Sequence, residues 1–357
     1  MVSSDVVQWL LNSADAPIRF QVIVDLLQEH DVGKVSEVLD DLHNCSLVAE
    51  WLNRLEPGFG MKQLHSSEPT SFENVMGRLG DLGMRAGLQP FDSKTLPFRA
   101  WLTDTENDIM GGIFRVFLRT IVASFLSYTG YSETDPVHNV LKDRLKWTHS
   151  FASNPDFMQV YVDERGHSIP PDESEEDSIV NPELYRNQKL VLPWIHDIRA
   201  FAFSVQIHQE PELMQQAEEV VAMILTPDYQ SLQPNYGRMR IGDRFYKIGW
   251  NIHLPGFFSE PSESEMSKLL LTMEMMAPFK SAQESDWFKQ MMALLESYET
   301  DDGTYIFPRA WMPEDRSGYW VNGAYMALED NRKKSVATEC ESTFRMLKIK
   351  HLMGNRI

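Results

Sequence analysis

Residues 234–258 interrupt an otherwise helical chain, and their sequence is PNYGRMRIGDRFYKIGWNIHLPGFF. Glycine and proline recur in this stretch too often for a helix, at Pro234, Gly237, Gly242, Gly249, Pro255 and Gly256. From Arg240 to Ile248, short runs of β-forming residues flank Gly242-Asp243, a type II′ turn pair. This segment therefore predicts a β-hairpin.

The same stretch is rich in side chains that combine a large apolar face with a polar tip, namely Tyr236, Tyr246, Trp250, Asn251 and His253. Such side chains bury a ring and still offer one hydrogen bond, which is typical of the wall of a ligand cavity. Long ordered loops often carry function. The alternative is an ordered connection whose aromatic rings close one end of a helical domain.

Composition limits the class of protein. With 357 residues, 43% of them hydrophobic, the chain is long enough for a large core. A net charge of −19 argues against nucleic acid as a partner. No apolar run approaches the roughly 20 residues that span a bilayer, and the first residues lack the pattern of a secretory signal. Two cysteines, Cys45 and Cys340, are too few for a disulfide framework, so we expect a cytoplasmic protein.

Most of the remaining sequence predicts helices in pairs. Residues 111–129 form the most apolar helix, which we expect to be buried on most sides. Thr70-Ser-Phe-Glu73 has the pattern of a capping box, which predicts a helix beginning there. Glu339 and Glu341, on the last helix, are expected to be exposed. We predict a single domain over residues 1–357, with loop excursions at 152–192 and 230–262.

Two segments suggest a family. Residues 57–65 followed by 71–83 read PGFGMKQLH and SFENVMGRLGDLG, and residues 301–307 read DDGTYIF. Together they resemble the α/α-toroid superfamily of terpenoid cyclases and protein prenyltransferase β-subunits, whose repeats run from a glycine-containing loop into an inner and then an outer helix. The resemblance implies a mainly α fold in which paired helices close into an α/α toroid, with the hairpin and long loops covering one end.

The sequence departs from that superfamily at the residues that carry its chemistry. Proton-initiated cyclases have Asp-x-Asp-Asp, whereas the nearest segment here is Asp104-Thr-Glu-Asn-Asp108. Ionisation-initiated cyclases need Asp-Asp-x-x-Asp, and Asp40-Asp-Leu-His-Asn44 fails at its last position. The zinc set of the prenyltransferases has no counterpart at ligand spacing. We therefore predict neither a metal nor another cofactor, although Asp104, Glu106 and Asp108 leave open a Mg²⁺ or Ca²⁺ site or a solvated loop.

Several side chains are candidates for chemistry. His196-Asp197 lies near the start of a helix opened by Pro193, and a histidine–carboxylate pair can transfer protons. Adjacent helical residues point about 100° apart, so the two do not face the same ligand, and a structural pair is the alternative. The predicted catalytic residues are His196, His253, Tyr246 and Asp197. The predicted substrate-binding residues are Tyr236, Trp250, Arg309, Trp311, Tyr319 and Trp320.

These features predict a metal-independent cyclase of natural-product biosynthesis that acts on an apolar polyene or terpenoid-type small molecule. Holding a flexible substrate in a reactive conformer can supply roughly 7–11 kcal/mol in ideal cases, and aromatic faces stabilise positive charge. Cycloaddition and proton-initiated ring closure both remain open. The alternatives are a carbohydrate lyase, epimerase or hydrolase on an (α/α) barrel, and a non-catalytic helical scaffold that binds a protein. The sequence leaves the oligomeric state undetermined.

Overall fold

The computed structural model describes residues 4–104, 112–162 and 178–354, which are mainly helical, as the sequence predicts. The helices are α1 (Ser4–Ser13), α2 (Ala16–Gln21), α3 (Val32–His43), α4 (Ser46–Arg54), α5 (Met61–Leu64), α6 (Phe72–Asp81), α7 (Phe91–Thr103), α8 (Ile113–Tyr128), α9 (Asp135–Ala152), α10 (Ile195–Ala202), α11 (Val205–Gln209), α12 (Pro211–Ile224), α13 (Pro227–Gln230), α14 (Met266–Met276), α15 (Lys280–Glu284), α16 (Asp286–Glu296) and α17 (Ala337–Leu352). A π-helical turn, Val22–Leu26, continues α2. Within the described residues, no helix has both the length and the apolar character that crossing a membrane requires.

Four short strands form one small sheet. They are β1 (Tyr161–Val162), β2 (Ile179–Val180), β3 (Arg238–Ile241) and β4 (Arg244–Lys247), in the order β1-β2-β3-β4. Strands β2 and β3 are parallel, and the other two pairs are antiparallel. The pair β3–β4 confirms the predicted hairpin, and Gly242 at its turn has a φ of 62°. A positive φ at the first central residue is what a type II′ turn requires.

Helix α8 lies at the centre of the packing. Every residue from Thr120 to Ser127 is buried, which confirms the prediction of a helix with little exposed surface. It contacts α6, α9 and α10, while α10 also contacts α14 and α14 contacts α17. The buried apolar side chains form one continuous cluster that extends from Val6 to Ile349. The interior is therefore closely packed by helices that are distant in sequence.

Two glycines allow aromatic rings to pack directly on the backbone of α6. A Cβ atom at Gly77 would lie 2.3 Å from the Trp320 ring, and one at Gly80 would lie 2.4 Å from the Tyr128 ring. Both separations are too short for non-bonded carbon atoms, so any larger residue would displace the rings. The glycines of α6 are therefore needed for close packing against Tyr128 and Trp320.

The start of α6 differs from the capping box predicted for Thr70 and Glu73. The helix begins at Phe72, and its N-cap residue, Ser71, makes no capping hydrogen bond through its side chain. The Glu73 carboxylate instead accepts a hydrogen bond from Nδ1 of His65. The prediction of a capping box is wrong, because the Glu73 carboxylate is hydrogen-bonded to His65 instead of to the backbone at the start of the helix.

A network of charged groups fills the space between α6, α14 and α17. Arg345 Nη1 donates to Glu274 Oε1 at 2.6 Å, and Arg345 Nη2 donates to Asp81 Oδ2 at 3.1 Å. Lys348 Nζ lies 2.9 Å from Glu274 Oε2. Tyr128 donates its hydroxyl hydrogen to Asp81 Oδ1 at 2.8 Å. Asp81, Glu274 and Arg345 are almost completely removed from water, so each of these charges depends on its partners for stability.

Glu341 is another buried acid, contrary to the expectation that it would be exposed. Its Oε1 accepts hydrogen bonds from the backbone N–H groups of Leu328 and Glu329, at 2.7 and 3.0 Å. Its Oε2 accepts from Arg332 Nη2 at 2.7 Å. Glu339 is only partly exposed, and it accepts a hydrogen bond from Thr304. The prediction fails for Glu341 because a fixed set of donors compensates for the loss of water.

A second cluster of charges joins the N-terminal helices to the C-terminal part of the chain. The backbone N–H of Asp15 donates to Glu329 Oε1 at 2.8 Å, and Lys334 Nζ forms an ion pair with the Asp15 carboxylate. Glu329 Oε2 is buried without a hydrogen bond, 3.7 Å from Lys334 Nζ. Burial raises the pKa of Glu329 to about 8, and the neighbouring Asp15 carboxylate adds to this effect.

This raised pKa predicts a pH-dependent stability. Between about pH 4.5 and 8 the folded state retains a proton on Glu329 that the unfolded state has released. The free energy of unfolding should therefore decrease as pH rises through this window, by at most about 5 kcal/mol, and should level off above it. Glu329→Gln should remove this slope in denaturant titrations at a series of pH values. The exposed Glu50→Gln is the control, and an unchanged slope in Glu329→Gln would contradict the prediction.

Candidate functional site

The candidate site is built on Glu73, in the first turn of α6. Its side chain is completely buried, and its two oxygens face two different histidines. Oε2 is hydrogen-bonded to Nδ1 of His65, and Oε1 lies 3.5 Å from Nε2 of His196. Burial alone would raise the pKa of Glu73, but the contacts with His65 and His196 lower it to about 2. Glu73 is therefore a buried carboxylate held between two imidazoles.

His65 follows the short helix α5, and aromatic rings fix its imidazole in place. The ring centroids of Trp250 and Tyr319 both lie 4.8 Å from that of His65, and that of Phe117 lies 5.1 Å away. A carboxylate only accepts hydrogen bonds, so the contact with Glu73 places a hydrogen on Nδ1 of His65. In the neutral ring, Nε2 then carries a lone pair for a ligand. This is the geometry of a histidine prepared for proton transfer.

His196, on α10, is the second imidazole. It is completely buried, and neither ring nitrogen makes a hydrogen bond to the described residues. Burial lowers the pKa of His196 more than the nearby Glu73 raises it, so its ring is neutral at physiological pH. Its centroid lies 6.2 Å from that of His65 and 6.0 Å from that of Trp250. His196 is thus a neutral polar group behind His65.

Trp250 is held in an unusual backbone conformation. Its φ is 64°, in the left-handed region that bulky residues rarely adopt at a cost of about 1–3 kcal/mol. Its carbonyl accepts a hydrogen bond from the backbone N–H of Ile195 at 2.8 Å, which ties it to the start of α10. The indole packs against both His65 and Tyr319. The fold thus maintains a strained residue in the wall beside His65.

A cavity of about 300 Å³ opens in front of His65. Its wall is formed by Met61, His65, Ile113, Phe114, Phe117, Trp194, Asn235, Met239, Lys247, Ile248, Gly249 and Trp250. Most of these side chains are apolar or aromatic, and none of the described residues that line the cavity is an acid. A small concave space with few polar groups is typical of a small-molecule site.

Three of the predicted site residues meet at this place. Trp250 lines the cavity, Tyr319 packs on His65 and on Trp250, and His196 lies behind them. Tyr246 is close by, with its ring 5.1 Å from that of Phe114, which lines the cavity. The aromatic stretch at residues 234–258 therefore contributes to a cavity, as one of its two interpretations predicts.

Asp197 and Tyr236 are instead engaged in the supporting structure. Asp197 accepts two hydrogen bonds from Arg144, at 2.8 and 2.6 Å, and one from the backbone N–H of Trp194 at 2.8 Å. The expectation that His196 and Asp197 face different partners is confirmed. Tyr236 is completely buried and donates its hydroxyl hydrogen to the Pro193 carbonyl at 2.6 Å. Both residues fix the chain at the start of α10.

The other predicted residues lie elsewhere. His253 Nε2 is 2.9 Å from Asn251 Nδ2, and Trp320 is buried, with its Nε1 donating to Asp81 at 3.2 Å. Arg309 is exposed and lies 3.6 Å from Glu314. Trp311 lines a separate groove of about 490 Å³. The structure does not bring these four side chains into the wall of the cavity in front of His65.

Sequence reasoning missed Glu73, His65 and Lys247 as site residues. Glu73 has the ordinary position of a capping acid, and no spacing rule connects it to His65 or His196. Of the acidic candidates, Glu106 and Asp108 lie outside the described residues. Among the residues described, no three His, Cys, Asp or Glu side chains are grouped to hold a metal ion.

Comparison with known proteins does not assign the site. No model of a protein family, no curated protein and no solved structure matches the chain. The geometry around His65 is therefore the basis on which a function can be assigned.

Proposed function

We propose that this chain is an enzyme that isomerises or cyclises a small apolar molecule by proton transfer at His65. The observation that carries the proposal is the pairing of His65 with the buried Glu73 in the wall of an aromatic cavity. The carboxylate orients the imidazole and stabilises the imidazolium that forms when Nε2 takes a proton. A histidine oriented by a buried carboxylate is a recurrent general base in enzymes.

The proposed step conserves atoms and electrons. Nε2 of His65 removes a proton from a substrate carbon or hydroxyl, and the electron pair of the broken bond shifts into the substrate. That pair forms a new double bond or attacks a carbon to close a ring. The imidazolium then returns the proton at another atom, so the reaction needs no oxidant or reductant. Isomerisation and ring closure can both proceed in this way, with no atom gained or lost and no change in oxidation state overall.

The sequence left cycloaddition and proton-initiated ring closure open, and His65 favours a third route, namely proton abstraction from an activated substrate. Direct protonation of an isolated alkene needs a strong acid, whereas an imidazolium with an ordinary pKa of about 6.5 is a weak one. We therefore propose a substrate in which a carbonyl group acidifies a neighbouring C–H bond. The rings of Tyr319 and Trp250, whose centroids lie 4.8 Å from that of His65, hold the imidazole against the cavity wall.

The cavity also limits the size and polarity of the substrate. At about 30 Å³ per water molecule, a volume of about 300 Å³ holds on the order of ten waters. This suits a terpenoid-type molecule of about that many non-hydrogen atoms rather than an oligosaccharide. The small number of polar side chains in the wall points in the same direction.

An α/α toroid is part of the proposal, and the helix contacts support it. Helix α6 contacts α8, α8 contacts α10, α10 contacts α14, and α14 contacts α17. The ion pair between Arg345 of α17 and Asp81 returns to α6. A circuit of this kind is the contact pattern of a closed inner ring. The charged network joins α17 to α14 and to the end of α6, whereas the proposed reaction takes place beside the start of α6.

Ligand binding tests the proposal. Geraniol should quench tryptophan fluorescence and shift the ¹⁵N resonances of His65, whereas a linear oligosaccharide should do neither. Trp250→Ala should weaken geraniol binding about tenfold or more, the equivalent of about 1.4 kcal/mol of lost contact. Trp311→Ala is the matched control, because Trp311 lines the other groove. Unchanged geraniol binding in Trp250→Ala, or preferred binding of the oligosaccharide, would overturn the proposal.

A further inference from the structure

Among the described residues, the polar side chains of the cavity wall include a cation but no acid. Five lining side chains carry nitrogen or oxygen atoms, namely His65, Trp194, Asn235, Lys247 and Trp250. Of these, Trp194, Lys247 and Trp250 can only donate hydrogen bonds. No acid lines the cavity among the described residues, although the chain as a whole has a net charge of −19. The wall is therefore locally suited to an acceptor or an anion.

Two of these donor-only side chains have no hydrogen-bond partner among the described residues. Trp194 is 1% exposed, and its Nε1 is buried without such a partner. In the described structure, Lys247 forms neither an ion pair nor a side-chain hydrogen bond, and its side chain lies at the exposed end of the cavity wall.

The fold fixes the position of Lys247. It is the last residue of β4 and lies opposite Arg238 of β3 in the hairpin register. The next residues, Ile248, Gly249 and Trp250, also line the cavity. The strand therefore delivers one cation and the strained tryptophan to the same wall.

We infer that the ligand of this cavity is a small apolar molecule that carries a carboxylate in addition to the carbonyl group of the proposed substrate, and that the carboxylate pairs with Lys247 while the apolar body lies against the aromatic wall. The inference rests on the proposed function, because it names the substrate class of the same site. Phe114 and Phe117 provide the apolar surface. Lys247 is the one lysine or arginine among the described residues that line the cavity, and in a strongly acidic protein it provides the selection for a negative ligand over a neutral one.

Matched ligands test the inference. Geranic acid, its methyl ester and geraniol share one apolar chain and differ in the charge of the head group. Calorimetry at neutral pH should show geranic acid binding about tenfold or more tightly than the other two. Its affinity should decrease with added salt, as expected of a partly exposed ion pair. Equal affinities for the three ligands would overturn the inference.

Substitutions of Lys247 distinguish the effect of its charge on binding from the effect of the apolar cavity wall. Lys247→Met should lower the affinity for geranic acid about tenfold and leave geraniol unchanged, and Lys247→Glu should lower it further. Arg244→Met, on the same strand but outside the cavity wall, is the control and should change neither affinity. Unaltered acid binding in Lys247→Met would overturn the inference while geraniol binding still supports the proposed function. Failure of all three ligands to bind would overturn both.

Discussion

Glu73→Gln should abolish most of the activity while the cavity remains. The glutamine keeps the shape of the side chain but no longer supplies the charge that orients His65 and stabilises its imidazolium. General-base catalysis contributes about 10²- to 10⁴-fold, and a loss in this range is expected. The measurement is deuterium incorporation from D₂O into an apolar α,β-unsaturated aldehyde such as citral.

The same variant has a readout that needs no substrate. The Glu73 carboxylate can accept hydrogen bonds but cannot donate them, so it keeps the hydrogen of His65 on Nδ1. An amide both donates and accepts, so Glu73→Gln should shift His65 towards a mixture of tautomers, visible in ¹⁵N chemical shifts. If Glu73→Gln lowered the rate of deuterium exchange without changing the His65 tautomer, Glu73 would act in another way. That result would contradict the proposal that Glu73 orients His65.

The surface of the protein offers a matched control. Glu219 Oε2 lies 2.7 Å from His149 Nε2, and both side chains are partly exposed. Glu219→Gln removes a histidine–carboxylate contact of the same type in the presence of solvent. It should leave deuterium exchange and the His65 resonances unchanged. Equal effects of the two substitutions would show a general electrostatic effect rather than a role for the cavity pair.

Glu73 should also influence stability at acid pH. Its folded-state pKa of about 2 lies below the ordinary value of 4.5, so the folded state binds fewer protons than the unfolded state between these values. The stabilisation is present above about pH 4.5 and is lost as pH falls towards 2, with a total of about 3 kcal/mol. In Glu73→Gln, the free energy of unfolding should therefore depend less on pH between about 2 and 4.5. This dependence has the opposite sign to the one that Glu329 produces at higher pH.

Local patterns in the sequence predicted much of the helical framework. The apolar helix α8 and the hairpin β3–β4 follow from periodicity and turn residues, which act over a few neighbouring positions. The aromatic wall was partly foreseen, because Trp250 and Tyr319 are large side chains in loops rich in glycine and proline. Such signals depend on a few neighbouring residues, and the elements that they predict are formed by those same residues.

The pairing of charges in the interior was not predictable in this way. Glu73 is eight residues from His65 and over one hundred from His196, and only the packing of α6 and α10 against α8 brings the three together. Glu341 was expected in solvent because an isolated carboxylate is costly to bury. The cost is met by donors from a different segment of the chain. A sequence pattern gives no information about those donors.

The two ends of α6 carry different kinds of buried charge. At its start, Glu73 contacts two histidines, one of which borders a cavity with room for a ligand. At its end, Asp81 is buried and contacts cations and hydroxyl and indole donors of the protein. The first pair borders the cavity of the proposed proton transfer, whereas the Asp81 carboxylate is bonded to side chains of the protein. This difference separates the proposed catalytic region from the structural centre.

Asp81→Asn should be among the most destabilising isosteric substitutions in the chain. The carboxylate accepts hydrogen bonds from Tyr128 at 2.8 Å, from Arg345 at 3.1 Å and from the Trp320 indole at 3.2 Å. Burial would raise the pKa of Asp81, but the charges of Arg345 and Lys348 lower it, so the group is ionised. Removing this charge leaves the two cations with Glu274 alone. Breaking a buried ion pair costs about 3–5 kcal/mol, and a loss of this size is expected.

Denaturant unfolding followed by tryptophan fluorescence measures this loss as a lower midpoint at an unchanged slope. Asp41→Asn is the control, because its ion pair with Arg19 is partly exposed and is worth about 0–1 kcal/mol. A second substitution, Lys348→Met, made in the Asp81→Asn background should recover part of the lost stability, since it removes a cation that has lost one of its two anions. A loss below about 1 kcal/mol in Asp81→Asn, or further destabilisation by Lys348→Met, would show that charge balance does not hold α6 against α17.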